Sequence, residues 1–210
     1  KDANITLRPI SEEDLPEAKK AFDGMGVNEK LNFISGLISK SKGHPRGASI
    51  WGATLAQLGS GDQNYVAAGL AEMNKFQSTE GRKLSTSIVN GTQILKNKQL
   101  IMPKDADLKS AFNNYVGNTV SGTSANNAYN VFRAVYADTM EARNLQHDKA
   151  DELPNKEVLK FALGFATGGV HQQSGTFKNY MGGKLQDWKV AMPYGMTDDA
   201  FESRLDAGYA

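Results

Sequence analysis

The sequence predicts an all-α protein, a single multi-helix domain of roughly ten short helices. Apolar residues recur at three- and four-residue steps through most of the 210 positions, as they do on the buried face of a helix. Strand signals are nearly absent, since no two alternating runs are joined by a two-residue turn. The connections are short and marked by glycine, which favours antiparallel or oblique packing of neighbouring helices.

Start signals and apolar stripes define the individual helices in chain order. The predicted helices are Ser11 to Phe22, Asn28 to Lys40, Ser49 to Leu58, Asp62 to Met73, Leu84 to Leu95, Asp105 to Val116, Ser124 to His147 and Pro154 to Phe165. A last short helix follows Thr197, which is its predicted cap. The helix from Ser124 is the longest, and Phe132 and Tyr136 lie on its apolar stripe. We therefore expect both to be core residues.

Several of these boundaries have a direct chemical reason. Ser11, Asp62, Asp105 and Ser124 carry side-chain oxygens that accept hydrogen bonds from the first free N–H groups of a helix. Pro154 suits a first helical position, where no N–H donor is needed. Glycine stops the helices at Gly24, Gly59 and Gly168.

Two polar stretches interrupt the helical spacing and are predicted to be loops. They are Lys40 to Gly47, "KSKGHPRG", and Thr167 to Gly183, "TGGVHQQSGTFKNYMGG". The second predicts a boundary between a main helical domain, residues 1–167, and a polar loop with a small C-terminal helical segment, residues 168–210. The sequence begins with Lys1 rather than Met, and we interpret it as a piece of a longer polypeptide.

Composition excludes several classes of function. The chain has 24 basic and 23 acidic residues and a net charge of +1, unlike a dedicated nucleic-acid-binding domain. It has no cysteine, so disulfides, thiolate metal sites and a cysteine nucleophile are excluded. The three histidines, His44, His147 and His171, lack the spacing that places two metal ligands on one helix face. No apolar run is long enough to span a bilayer, and no nucleotide-binding glycine motif is found. No cofactor is predicted.

Glu202 is the main candidate for a catalytic residue, since Ser174 with His171, imagined as nucleophile and base, has no strand-turn-helix elbow to frame it. Glu202-Ser203 lies in a predicted helix, as does the Glu-Ser pair of lytic transglycosylases, in which the glutamate is the acid. A general acid for sugar cleavage needs a desolvated pocket that raises its pKa. Glu202 instead shares its helix with charged residues, namely Asp198, Asp199, Arg204 and Asp206. We therefore predict that Glu202 is a polar surface residue and that no residue of this chain is catalytic.

The glycine-rich polar stretch is the candidate binding site. It groups many hydrogen-bond donors and acceptors with little apolar content, which is typical of a loop that binds sugars or a neighbouring subunit. The residues are His171, Gln172, Gln173, Ser174, Lys178, Asn179 and Tyr180. A plain surface loop is the alternative. The basic stretch around His44 offers a second, smaller group of cations for a phosphate or a carboxylate.

Two long stretches resemble segments of large bacteriophage and prophage virion proteins. They are "LIMPKDADLKSAFNNYVGNTVSGTSANNAYNVFRAVYADTMEARN" and "GGVHQQSGTFKNYMGGKLQDWKVAMPYGMTDDAFESRLDAGYA". In that group a helical region is joined to a murein transglycosylase domain elsewhere in the chain. The resemblance implies a virion-associated protein that helps DNA to cross the cell envelope. The catalytic residues of the group match nothing here, so none is transferred.

The leading hypothesis is a non-catalytic structural or interaction domain of a phage-type virion or DNA-ejection protein. Such a protein is made in the bacterial host cytoplasm, resides in the virion and is delivered to the host envelope or periplasm. Its expected partners are other virion subunits, the remaining domains of the parent chain, or peptidoglycan. The alternatives are a lytic transglycosylase-like domain that cleaves peptidoglycan with Glu202 or another carboxylate as the acid, and a cell-wall or sugar-binding module.

Overall fold

A computed structural model describes residues 7–120, 122–177, 184–192 and 198–208. Within these ranges the chain forms nine α-helices and one β-hairpin, and the predicted all-α class is confirmed. The chain divides into two compact units, Lys1–Gln99 and Leu100–Ala210. The boundary predicted between residues 167 and 168 falls inside the second unit, and as a domain boundary it stays a prediction.

The described part of the first unit is built from five helices. They are α1 Leu15–Asp23, α2 Val27–Ser41, α3 Gly47–Leu58, α4 Asn64–Met73 and α5 Leu84–Lys96. Helices α2, α3 and α4 pack against one another, α5 packs on α2 and α4, and α1 packs on α3. The larger side chains of the core are Phe22, Ile34, Trp51, Leu55, Leu58, Tyr65, Leu84, Ile88, Val89 and Ile94. These apolar stripes are the ones that the three- and four-residue spacing predicts.

Close packing in this core depends on one glycine. A Cβ atom on Gly69 of α4 would lie only 2.6 Å from Cζ3 of the Trp51 ring on α3. The missing side chain therefore lets the two helices approach, and the Trp51 ring fills the space. One turn earlier on α4, the Tyr65 ring meets the Phe22 ring edge-on at 4.9 Å between centroids.

The turn between α1 and α2 is held by a buried lysine. The Lys30 ammonium donates to the carbonyl oxygens of Met25, at 2.5 Å, and Asp23, at 3.4 Å. It also lies 5.4 Å from the centroid of the Phe22 ring. A cation at the end of a helix satisfies carbonyls that have no partner within the helix. Burial lowers the pKa of the Lys30 ammonium from its ordinary value, and nearby Asp23 opposes that shift.

The Gln57 side chain of α3 binds the segment that precedes α1. The Gln57 amide accepts a hydrogen bond from the Ile10 N–H, at 3.0 Å, and donates one to the Ile10 carbonyl oxygen, at 2.8 Å. Both backbone groups of Ile10 are therefore satisfied by one amide, as they would be in a β-ladder.

The second unit contains four helices and a hairpin in the part that the structure describes. They are α6 Asp105–Val116, α7 Gly122–Ala142, α8 Lys156–Thr167, β1 Val170–Phe177, β2 Lys184–Ala191 and α9 Asp198–Gly208. Helix α7 packs against α6 and α8. Phe132 and Tyr136 are buried in the core, as predicted, and Phe132 stacks on Phe112 of α6 at 5.8 Å.

Helices α7 and α8 differ from the prediction at the residues between them. Helix α7 ends at Ala142, not at His147, because Asn144 takes a left-handed conformation with φ 52°. The Leu145 N–H then donates back to the Met140 carbonyl at 2.8 Å, which closes the helix end. Helix α8 begins at Lys156 rather than at Pro154, with the Asn155 side chain as its cap.

The prediction that Thr167 to Gly183 is a loop is wrong for much of its length. Residues Val170–Phe177 form β1, which pairs antiparallel with β2 from Val170 opposite Ala191 to Phe177 opposite Lys184. Six residues, 178–183, separate the strands in the sequence, so no two-residue turn signals the hairpin. The polar composition of β1 also gives no apolar alternation, although backbone pairing needs none.

Lys189 connects the hairpin to a helix end. Its ammonium donates to the carbonyl oxygens of Asn114 and, at 3.2 Å, of Tyr115, in the last turn of α6. A lysine at this position satisfies terminal carbonyls and suits the negative end of the helix dipole. The hairpin is therefore attached to the helical part of the second unit through a side chain of β2.

Candidate functional site

A cleft in the first unit brings basic, acidic, aromatic and aliphatic side chains together. It has a volume of about 570 Å³ and lies between the end of α2, the loop of residues 42–46, the start of α3 and the end of α4. We name it the α2–α4 cleft. The side chains that matter for its chemistry are Ile38, Lys42, His44, Trp51, Glu72, Met73 and Lys75.

The basic stretch identified in the sequence forms one wall of this cleft. Backbone hydrogen bonds from His44 to the Ser41 carbonyl, at 3.2 Å, and from Gly47 to the His44 carbonyl, at 2.9 Å, fold it tightly. A Cβ atom on Gly47 would lie 2.2 Å from the Ser41 carbonyl oxygen, so the close approach requires glycine. Lys42 and His44 are exposed on this folded loop.

Glu72 is the acidic group of the cleft, and its carboxylate is already bound within the unit. The hydroxyl of Ser85 donates to Oε2 at 2.6 Å, and the hydroxyl of Ser35 donates to Oε1 at 3.3 Å. The Lys83 ammonium lies 3.7 Å from Oε1. The Glu72 side chain is 22% exposed, so the carboxylate joins α2, α4 and α5 while one side faces the cleft.

The apolar part of the cleft continues onto the surface of α4. Trp51 is 4% exposed and forms part of the base. Met73 is 49% exposed, and Leu70, one turn earlier on the same helix, is 46% exposed. Residues three apart on a helix are neighbours on its surface, so these two side chains form one apolar patch at the rim.

A second, larger concavity of about 1120 Å³ lies between α1 and α3. Leu15 and Pro16 of α1 face Ala53 and Ala56 of α3 across it. Its rim carries charges of both signs, namely Arg8, Glu12, Lys19, Lys20 and Asp23. The mixture gives this groove no clear preference for a ligand of one charge.

A buried polar chain in the second unit has the residue types of a proton relay. Tyr136 Oη lies 2.8 Å from His147 Nε2, and His147 Nδ1 lies 3.2 Å from Glu152 Oε2. The Asn155 N–H donates to Tyr136 Oη at 2.9 Å. Tyr136 is fully buried, so its hydroxyl is not accessible to a substrate, and the chain acts as a structural link.

Glu202 lies exposed on α9, in the second unit. The neighbouring Ser203 hydroxyl donates to the Asp199 carbonyl at 2.8 Å, a bond within the helix. A general acid for sugar cleavage is normally enclosed in a desolvated pocket, whereas the Glu202 side chain is exposed.

The other predicted site residues belong to the second unit as well. His171, Gln172, Gln173 and Ser174 are successive residues of β1 and pair with Val190, Lys189, Trp188 and Asp187 of β2. Lys178, Asn179 and Tyr180 lie outside the described residues. His171, Gln172, Gln173 and Ser174 were predicted to lie in a loop, and their place in a strand corrects that prediction. The role of the whole predicted set in binding stays a prediction.

Neither a metal-ligand cluster nor a membrane-spanning helix is found in the described ranges. Within them, no group of three or more His, Asp or Glu side chains is arranged to hold a metal ion. No helix in the same ranges combines the length and the apolar character that a membrane crossing requires.

Comparison with known proteins gives no relative from which a function can be transferred. No protein-family model matches the sequence, and no curated protein and no solved structure matches it. The fold alone defines the class of protein, a helical chain of two compact units with a cleft in the first.

Proposed function

We propose that this chain is a non-catalytic structural and interaction domain of a phage-type virion or DNA-ejection protein. The observation that carries the proposal is the apolar patch of Leu70 and Met73 beside the α2–α4 cleft. Neighbouring large apolar side chains at the rim of a concave surface are typical of protein-binding sites. The virion context rests on the resemblance of residues 100–144 and 168–210 to phage virion proteins.

The exposure of Glu202 supports the non-catalytic part of the proposal. A general acid for glycoside cleavage must hold its proton near neutral pH, which requires an apolar surrounding. Glu202 instead lies exposed on α9, beside other charged residues. In this proposal any transglycosylase activity belongs to another part of the parent chain.

Association with particles is the direct test. Virions purified by density gradient from a producing culture are probed with an antibody against the chain, with host lysate as the comparison. We expect the chain to sediment with the particles at a constant ratio to the major capsid protein. Detection in the lysate alone, with none in purified particles, would contradict the proposal.

A murein assay separates the proposal from its two alternatives. Purified sacculi are incubated with the wild-type chain and with Glu202→Gln, and turbidity and co-sedimentation are measured. We expect no clearing by either protein and the same fold by circular dichroism. Clearing by wild type that is lost in Glu202→Gln would establish the enzyme, and saturable co-sedimentation without clearing would favour the sugar-binding module.

A further inference from the structure

We propose that the α2–α4 cleft binds an acidic peptide segment of a partner protein, with an apolar side chain of that segment against Met73. The inference rests on the proposed interaction function and gives it a site and a partner chemistry. Charge, shape and apolar exposure at the cleft support it independently of the resemblance to virion proteins.

The charge of the cleft favours an anionic partner. Lys42 and Lys75 line it, and both are exposed. The acidic residue in the wall, Glu72, is held by two serine hydroxyls and by Lys83, so its charge is largely matched within the unit. The field that reaches an approaching ligand is therefore positive, and such a field attracts carboxylates and repels basic segments.

The shape and the apolar surface favour a peptide side chain inside the cleft. A volume of about 570 Å³ exceeds that of any single side chain, so the cleft admits an anchor with part of its backbone. Ile38 and Met73 offer apolar contact to it, and Met73 is half exposed before any partner binds. Methionine is flexible and polarizable, which suits contact with side chains of different shapes.

Nucleic acid fits the same surface less well. Single-stranded nucleic acid binds through aromatic rings on which its bases stack, together with a continuous basic groove. Trp51, the aromatic residue of this cleft, is almost fully buried under α4 and offers no stacking face.

The test is fluorescence anisotropy of labelled probes with the full chain at low ionic strength. The main probe is a short peptide of Asp and Glu with two central leucines. In one comparison peptide Gln and Asn replace the acidic residues, and in another Ser replaces the leucines. A further probe is single-stranded DNA. We expect the acidic leucine peptide to bind most tightly, with weaker binding as salt rises.

Charge-reversal variants locate the binding. The double variant Lys42→Glu with Lys75→Glu should lower the affinity for the acidic peptide by roughly tenfold or more. The matched control is Lys149→Glu with Lys160→Glu, which makes the same change in net charge on exposed lysines of the second unit and should leave affinity nearly unchanged. Equal losses in both double variants would show a general charge effect and overturn the assignment of the site.

The apolar contact has its own pair of variants. Met73→Ser should lower the affinity for the leucine-containing peptide but not for the serine-containing peptide, because only the first has an apolar side chain to contact Met73. Leu153→Ser, at a side chain that is 75% exposed in the second unit, is the control and should change neither. Circular dichroism of each variant checks that the fold is retained.

Two further outcomes would overturn the inference. One is tighter binding of DNA than of the acidic peptide with the same dependence on Lys42 and Lys75; the other is no binding of any probe at millimolar concentration. Failure here is distinct from failure of the proposed function. A chain that sediments with virions but does not bind the peptide loses only this inference, and a chain that binds it but is absent from particles loses the virion assignment.

Discussion

Tyr136 and His147 form a hydrogen bond of 2.8 Å with their rings nearly parallel, at an interplanar angle of 7°. The His147 ring has a second partner as well, because its Nδ1 lies 3.2 Å from Oε2 of the Glu152 carboxylate. The Tyr136 hydroxyl oxygen accepts the Asn155 N–H. One tyrosine therefore fixes the connector between α7 and α8 at two points.

Tyr136→Phe should destabilise the second unit without changing its fold. The substitution keeps the ring but leaves His147 Nε2 and the Asn155 N–H without this partner, and a lost buried hydrogen bond costs about 1–3 kcal/mol. Urea denaturation measures the loss. In a double-mutant cycle with His147→Gln, we expect a coupling of roughly 0.5–3 kcal/mol. Strictly additive losses would show that the two side chains do not stabilise each other.

Gly69→Ala should destabilise the first unit although alanine favours helices. The added methyl group would meet the Trp51 ring at 2.6 Å, and overpacking a core costs about 1–3 kcal/mol. Gly52→Ala on α3 is the matched control, because a Cβ there would meet no atom within 4 Å beyond the backbone of its own helix. The free energy of unfolding of this control should rise by up to about 1 kcal/mol, because alanine has a higher helix propensity than glycine. Thermal unfolding of both variants compares them, and equal shifts would contradict the close packing.

Phe132→Ala should be among the most destabilising substitutions in the second unit. Phe132 is fully buried and packs against Phe112, so its truncation leaves a cavity between α6 and α7. We expect a loss of about 3–5 kcal/mol in the free energy of unfolding. A measured loss below about 1 kcal/mol would contradict this burial.

Tyr65 should make the protein sensitive to alkali. Burial, supported by the carboxylates of Asp23 and Asp62, raises the pKa of the Tyr65 phenol from 10.0 to about 12. Between these values the unfolded chain has lost the phenolic proton while the folded chain keeps it. The stabilising contribution is therefore fully present below pH 10 and falls as pH rises toward 12.

Tyr65→Phe isolates this effect, since it keeps the ring against Phe22 and removes the titration. Urea midpoints are measured for both proteins at neutral pH and again at a pH between 10 and 12. On going to the higher pH, the variant should lose less free energy of unfolding than the wild type. The two losses should differ by at most about 1.4 kcal/mol for each pH unit above pH 10. Parallel losses would mean that Tyr65 does not titrate differently in the two states.

The helices could be predicted from the sequence because their apolar stripes are local patterns. Phe132 and Tyr136 lie four apart, and the core uses them as that spacing indicates. The hairpin could not be predicted in the same way. Residues such as Gln172 and Gln173 show no apolar alternation, and pairing with Lys189 and Trp188 is a backbone relationship across a six-residue interval.

The candidate site was predictable only in part. The basic stretch around His44 was visible as a charged loop, and it does form a wall of the α2–α4 cleft. The rest depends on distant residues, since Ser35, Glu72 and Ser85 meet through three different helices. His147 was predicted as the last residue of the helix from Ser124, whereas it lies beyond the helix end and bonds Tyr136, eleven positions earlier.

The pairing of Gln57 with Ile10 affects hydrogen exchange. The Ile10 amide donates to a side chain on α3 rather than to a neighbouring helical carbonyl. Its exchange with solvent therefore requires either release of the Gln57 amide or opening of α3, and Gln57→Ala removes the first barrier without touching the backbone of α3. In the wild-type chain, slow exchange at this one amide reports how firmly the segment before α1 is held on the first unit.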